Sequence, residues 1–247
     1  CLQVIYRSRR VWRGRKNIRG KLCTQVFVRV WDNISLIGFS RLMRHMLLIV
    51  MPTILYRTLK PMLIEGLYAI TPDVSQTDEL LDKVEKTLQG GVALLQYRNK
   101  SASTELLREQ AQALLPVCRK YSVPMIVNDH LDLALKIGAD GVHVGQDDLA
   151  SQEVIKQLAG YDRILGVSCY SNLELAVQAQ QMGASYVAFG AFYPSTTKPS
   201  AVKADIGLIR QAKQYITIPI VGIGGIRLTN AVAVIQSGCA AIAVSDD

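Results

Sequence analysis

Acidic residues are almost missing from the first quarter of this sequence. Residues 1–61 carry thirteen Lys/Arg against one acid, Asp32, a local balance of +12. Residues 62–247 then hold 15 Lys/Arg against 19 acids, a balance of −4, although the whole chain is +8. The basic character belongs to one end, so the whole-chain charge is no argument for a nucleic-acid-binding domain. Cysteine is sparse as well. The five residues Cys1, Cys23, Cys118, Cys169 and Cys239 form no CxxC pair. That spacing excludes a disulfide framework and a cysteine-based zinc site, and it implies a reducing, cytoplasmic setting. Long apolar runs are lacking too: the longest, residues 46–55, is interrupted by Pro52. A membrane-spanning helix needs about 20 residues, so no membrane partner is expected. What the chain does have is enough apolar surface for a core, with 49% hydrophobic against 19% charged residues, which excludes wholesale disorder.

The basic segment at residues 1–61 admits three readings. A transit peptide would be Arg-rich and acid-poor but also Ser-rich, and this stretch is not. A nucleic-acid-binding arm would use Tyr6 and Trp12 for stacking. The third reading, an extension whose charge is simply solvated, asks least of the sequence. The expected organisation is therefore a poorly ordered basic extension over residues 1–61 and one domain over residues 62–247, with nucleic acid not expected as a partner and self-association left open.

From residue 66 onward, short apolar runs alternate with amphipathic stretches. The runs are LYAIT (67–71), ALLQYR (93–98), PMIVN (124–128), GVHVG (141–145), ILGVS (164–168), YVAFG (186–190), PIVGIG (219–224) and AIAVS (241–245). Short, bounded, β-branched runs suit parallel strands covered on both faces. Between the first two, Leu80, Leu81, Val84 and Leu88 recur at helical spacing and stop at Gly90-Gly91. Further helices are predicted over about 103–121 and 172–181. Eight strands alternating with helices predict an α/β fold, a (β/α)8 TIM barrel. An open doubly wound sheet would need GxGxxG after its first strand, where this chain reads TPDVSQT. The sequence reaches Asp247 just after the eighth strand, so the final helix of the pattern is missing from it. Either the chain is a fragment or a segment within residues 35–60 covers the gap.

Barrels of this kind place their chemistry on the loops leaving the C-terminal strand ends. After the second strand, Gln96, Arg98 and Lys100 alternate and share one face, an anion clamp suited to a diphosphate. After the third and fourth come Asn128-Asp129 and Asp147-Asp148. Carboxylates Asp129 and Asp148 beside an anion clamp call for a bridging hard cation, Mg²⁺. His143 alternates with Val142 and Val144 and reads as a packed barrel residue. Ser168 ends the fifth strand as a hydrogen-bond donor, with no His or Asp partner in sight for nucleophilic work. Ser195, Thr196, Thr197 and Lys198 follow the sixth strand. Gly224-Gly225 follows the seventh, where backbone N–H groups can approach a phosphate. Two anion sites, a divalent metal and no nucleophilic dyad point to transfer between phosphorylated partners, driven by stabilising a leaving group.

The pieces YAITPD, GGVALLQYRNK, VNDHLDLALKIGADGVHVGQDD, ILGVSCYS, GAFYPSTTK, PIVGIGGI and AIAVS, in this order, resemble the thiamine phosphate synthase family. The resemblance starts near Leu67 and leaves residues 1–61 out. It implies condensation of an aminopyrimidine methyl diphosphate with a thiazole ethyl phosphate, giving thiamine phosphate and pyrophosphate. By motif, it implies that Gln96, Arg98, Lys100, Asn128, Ser168 and Lys198 hold the pyrimidine diphosphate, with Arg98, Lys100, Ser168 and Lys198 catalytic. It implies Asp129 and Asp148 as Mg²⁺ ligands, and Ser195, Thr196, Thr197, Gly225, Val244 and Ser245 around the thiazole phosphate. Tyr97-Arg98-Asn99 replaces the family's more usual Leu-Arg-Glu, a change confined to side chains on the face opposite the clamp. The closing motif is one residue short of the usual pattern. A related thiazole tautomerase shares the barrel but uses a His near the GVS turn, where this chain has Tyr170. The remaining alternative is a truncated, non-catalytic phosphate-binding barrel.

Overall fold

A computed structural model describes residues 64–145, 163–194 and 204–245. The chain divides between Met62 and Leu63, and every described residue belongs to the second unit, Leu63–Asp247. Eight strands lie there: β1 (Gly66–Ile70), β2 (Leu94–Tyr97), β3 (Met125–Asn128), β4 (Gly141–Val144), β5 (Ile164–Tyr170), β6 (Tyr186–Phe189), β7 (Ile220–Ile223) and β8 (Ala241–Val244). They pair in sequence order, all parallel, and close through β1 and β8 into a barrel. The predicted barrel is therefore the fold. Six helices are described: α1 (Thr77–Gln89), α2 (Thr104–Lys120), α3 (Leu131–Ile137), α4 (Leu173–Gln181), α5 (Gly207–Ala212) and α6 (Ala231–Ser237). The helix expected between β4 and β5 falls on residues 146–162, outside the described residues, and so does the question of a final helix after β8.

Strand alternation divides the core into layers. Tyr68, Ile70, Leu94, Ile126, Ile164, Tyr186, Ala188, Val221, Ala241 and Ala243 pack together inside the barrel. Their sequence neighbours point outward against the helices: Leu95 and Val127 pack with Leu80, Val84 and Leu114, while Val167 and Val187 pack with Ala176 and Ile209. Period-2 alternation with both faces apolar is what a strand needs when helices cover its outer face. One absent side chain makes room for a large one. A Cβ on Gly166 of β5 would sit within the Tyr186 ring on β6, so only glycine lets that ring lie across the interior.

Helix starts follow local chemistry. Ser103 caps α2 by accepting from the Leu106 amide at 3.2 Å, and Asn172 caps α4 by accepting from the Leu175 amide at 3.1 Å. Each side chain satisfies an amide that the first helical turn leaves without a carbonyl. Among the described residues, no helix is long and apolar enough to cross a membrane.

Candidate active site

Arg98 leaves the end of β2 and is held from both sides. Its backbone N–H donates to Thr71 Oγ1 at 2.8 Å, and Thr71 Oγ1 donates in turn to the Arg98 carbonyl at 2.7 Å. The guanidinium Nη1 lies 2.9 Å from Asp73 Oδ1, in a pair whose Arg98 side chain is only 15% exposed. The same carboxylate oxygen accepts the Lys100 backbone amide at 3.1 Å, while Lys100 itself is exposed. Tyr97 and Asn99 point the other way. The Tyr97 hydroxyl donates to Gln110 Oε1 at 2.9 Å, and Asn99 Nδ2 donates to Gln110 Oε1 and to the Val74 carbonyl. Gln110 Nε2 also reaches the Val74 carbonyl at 3.0 Å. A fully buried polar side chain on α2 thus ties the loop after β1 to the loop after β2, and it stations Asp73 beside Arg98.

The expected clamp gains one residue and loses one argument. Gln96 is 3% exposed and points into the barrel, while Arg98 is already paired. Asp73, missed at the sequence level, is a carboxylate beside the clamp that needs no bridging cation, because the clamp's own guanidinium neutralises it. Carboxylates near the clamp therefore do not by themselves require a metal.

After β3, Asp129 adopts a left-handed backbone with φ 60°. For a residue with a Cβ this costs roughly 1–2 kcal/mol, offset here by local bonds. Its amide donates to the His143 carbonyl at 2.8 Å, and Asn128 Nδ2 donates to Asp129 Oδ2 at 2.6 Å. The Asp129 carboxylate is exposed. An exposed carboxylate at a strand end, with a neighbouring amide, offers the hard oxygen donors that fit Mg²⁺, which needs only one or two carboxylates besides water and phosphate. Asp148, the second expected ligand, lies outside the described residues. Among the described residues, no three His, Cys, Asp or Glu side chains converge on a metal position.

Ser168 is where the sequence reading needs correcting. His143 Nε2 lies 2.9 Å from Ser168 Oγ, so the serine does have a histidine partner. The two are distant in sequence, but adjacent parallel strands put His143 opposite Gly166, and Ser168 follows two residues on, on the same inner face. His143 is buried, as expected, with its Nδ1 2.7 Å from the Tyr186 hydroxyl and its ring stacked on Tyr186 at 5.6 Å. The Tyr186 and Tyr68 hydroxyls are 2.8 Å apart, and Gln96 Nε2 donates to Tyr68 at 2.8 Å. Burial pushes both phenols above their ordinary range, so they stay protonated. Because Nδ1 meets a phenol rather than a carboxylate, this serine–histidine pair does not follow the nucleophilic triad pattern. The signal available in the sequence was the presence of Tyr68, Gln96, His143 and Tyr186 at inward positions of otherwise apolar strands.

The loops after β6 and β7 touch. Tyr193 N–H donates to the Gly224 carbonyl at 3.0 Å, and Phe192 N–H to the Ile223 carbonyl at 3.2 Å. Gly225 combines φ 58° with a Cβ position blocked by the Tyr193 and Pro194 carbonyls, so no other residue fits without shifting backbone. Asn230 Nδ2 holds its carbonyl at 3.0 Å. Val244 ends β8 and Ser245 follows it, both half-buried. Ser195, Thr196, Thr197 and Lys198, expected to complete this side, lie outside the described residues.

Comparison with known proteins covers the barrel unit. The family model described as thiamine monophosphate synthase matches residues 67–247. A thiamine-phosphate synthase from Nitrosospira multiformis is 50% identical over 183 residues, 74% of this chain and 78% of that protein. One from Nitrosomonas eutropha is 50% identical over 182 residues, 74% of this chain and 85% of that protein. Among solved structures, thiamine phosphate pyrophosphorylase from Pyrococcus furiosus superposes with a TM-score of 0.65 at 32% identity, over 74% of this chain and 87% of that one. With a closed eight-stranded barrel, a held cation at its mouth and identity of this degree, the chain belongs to the thiamine monophosphate synthase family.

Proposed function

We propose that the thiamine-phosphate synthase activity assigned by family membership runs at the C-terminal mouth of the barrel, on the residues that leave β2 to β8. The C–O bond between the pyrimidine methylene and its diphosphate breaks, and the electron pair departs with pyrophosphate. The aminopyrimidine ring delocalises the cation, and the lone pair of the thiazole nitrogen captures it. Arg98, Lys100 and Lys198 neutralise charge that grows on the leaving group, which is where stabilisation acts on rate rather than on binding alone. Gln96, Asn128 and Ser168 orient the pyrimidine diphosphate. Ser195, Thr196, Thr197, Gly225, Val244 and Ser245 hold the thiazole phosphate. Asp129 and Asp148 would hold Mg²⁺, which supplies further neutralisation of the diphosphate when bound.

The observation that carries this reading is the held state of Arg98. Two hydrogen bonds with Thr71, one accepted and one donated by its hydroxyl, fix the Arg98 backbone at the strand end, and the ion pair to Asp73 aims its guanidinium. Pre-organised charge of this kind costs no reorganisation during the reaction.

Steady-state kinetics of two variants test the division of the mouth. Arg98→Ala should lower kcat by about 10²-fold, on the scale of one lost stabilising donor, and raise KM for the pyrimidine diphosphate. Thr197→Ala should mainly raise KM for the thiazole phosphate. A Thr197→Ala enzyme impaired only toward the diphosphate would contradict the assignment. EDTA should abolish turnover and added Mg²⁺ restore it; full activity in metal-free buffer would remove the metal from the account.

A further inference from the structure

Five polar side chains cross the barrel interior in one continuous line. Gln96 Nε2 donates to the Tyr68 hydroxyl at 2.8 Å, and the Tyr68 and Tyr186 hydroxyls meet at 2.8 Å. Tyr186 meets His143 Nδ1 at 2.7 Å, and His143 Nε2 meets Ser168 Oγ at 2.9 Å. Each phenol has one proton to give, and burial keeps both phenols protonated. The direction of the line is then set at its first bond. Since Gln96 donates to Tyr68, the Tyr68 proton goes on to Tyr186. The Tyr186 proton goes to His143 Nδ1. The imidazole accepts there as a neutral ring, and its own proton, on Nε2, goes to Ser168. Running the line backwards would bring two donors onto the Tyr68 oxygen and leave the Tyr68 proton facing neither partner, at a side chain 1% exposed.

We propose that this line holds Ser168 as a one-way hydrogen-bond donor toward an acceptor-only atom of the substrate, with Tyr186 and His143 as positioning residues that act through Ser168. The inference rests on the reading above that Ser168 faces the pyrimidine diphosphate, whose diphosphate oxygens and unprotonated ring nitrogens are such acceptors. Accepting a hydrogen bond from His143 Nε2 leaves the Ser168 hydroxyl hydrogen, at the far end of the line from Gln96, with no acceptor inside it. It also polarises that hydroxyl, because successive hydrogen bonds strengthen one another in a buried setting.

Two measurements on the full chain test this separately. In ¹⁵N–¹H correlation spectra of histidine-labelled wild-type protein at neutral pH, His143 should carry its proton on Nε2 with Nδ1 unprotonated. His45→Gln and His130→Gln variants identify the signal by elimination. A proton on His143 Nδ1 would overturn the direction of the line, and this reading needs no activity and no folded variant of the line. The second is a double-mutant cycle. Tyr186→Phe and Ser168→Ala should each lower kcat/KM for the pyrimidine diphosphate about tenfold, the scale of one buried hydrogen bond, with KM for the thiazole phosphate unchanged. The double variant should be no worse than Ser168→Ala alone. Effects that multiply, or a fully active Tyr186→Phe, would show that Tyr186 does not act through Ser168. A fully active Ser168→Ala would instead overturn the serine's place in the proposed function, while the histidine spectrum would still report the direction of the line.

Discussion

Asp73 shows how a single side chain changes the electrostatics of a clamp. Its Oδ1 accepts from the Arg98 guanidinium and from the Lys100 amide, so one carboxylate aims one cation and fixes the backbone of the next. Being partly exposed, the ion pair contributes little to stability, typically 0–1 kcal/mol. Its value lies in placement. Asp73→Ala should therefore leave the melting temperature nearly unchanged while kcat falls about three- to tenfold, the scale of one lost orienting hydrogen bond. Asp73→Asn keeps an acceptor oxygen and should recover part of the loss. An Asp73→Ala enzyme with wild-type kcat would show that Arg98 needs no such anchor. Alternation along β2 made the opposed faces of Gln96 and Tyr97 legible from sequence alone, and the buried contacts of Tyr97 and Asn99 with Gln110 bear it out. What alternation could not supply was the partner of each inward polar group. Tyr68 and Tyr186 are 118 residues apart, and only barrel closure and register bring their hydroxyls together.

Strands were legible because each is a short apolar run with boundaries set by glycine, proline or polar residues, and all eight fall within a few residues of where they were expected. The largest difference is at β5, which runs two residues further, to Tyr170, through a register shift between Ser168 and Tyr170. Tyr170 takes φ 51°, a conformation that residue type does not signal. Loop geometry after β6 and β7 was equally hidden. The glycine pair read as a phosphate approach, whereas Gly225 is also demanded by protein packing, against the Tyr193 and Pro194 carbonyls. Gly225→Ala must either push those carbonyls away or leave the left-handed region. It should cost about 1–3 kcal/mol, the range for a residue forced into a disfavoured backbone state, and should raise KM for the thiazole phosphate. Urea melts and substrate titrations check both. A variant with unchanged stability and kinetics would mean that the two loops yield at no cost.

Across the whole barrel, three thiols link fold to pH. Burial raises Cys118, Cys169 and Cys239 to about 12 from an ordinary value near 9. Above the ordinary value the unfolded chain loses these protons first, so it binds fewer protons than the folded chain and stability falls as pH rises. The contribution is complete below about pH 9 and is lost progressively toward pH 12. Melting temperatures should drop across that window, and Cys118→Ala should flatten the decline even though it lowers stability at neutral pH. A melting temperature independent of pH there would contradict the buried, protonated state of the thiols. At this scale the barrel was legible because its strand rhythm is repeated eight times, while residues 1–61 share no motif with it and lie outside the described residues. The account as a whole rests on one reaction at one mouth. Pyrophosphate release by the purified full chain, assayed with the pyrimidine diphosphate and thiazole phosphate together and with each omitted, tests it most directly. The account predicts stoichiometric pyrophosphate and thiamine phosphate only when both substrates and Mg²⁺ are present. Release that needs no thiazole phosphate, or no release at all, would contradict it.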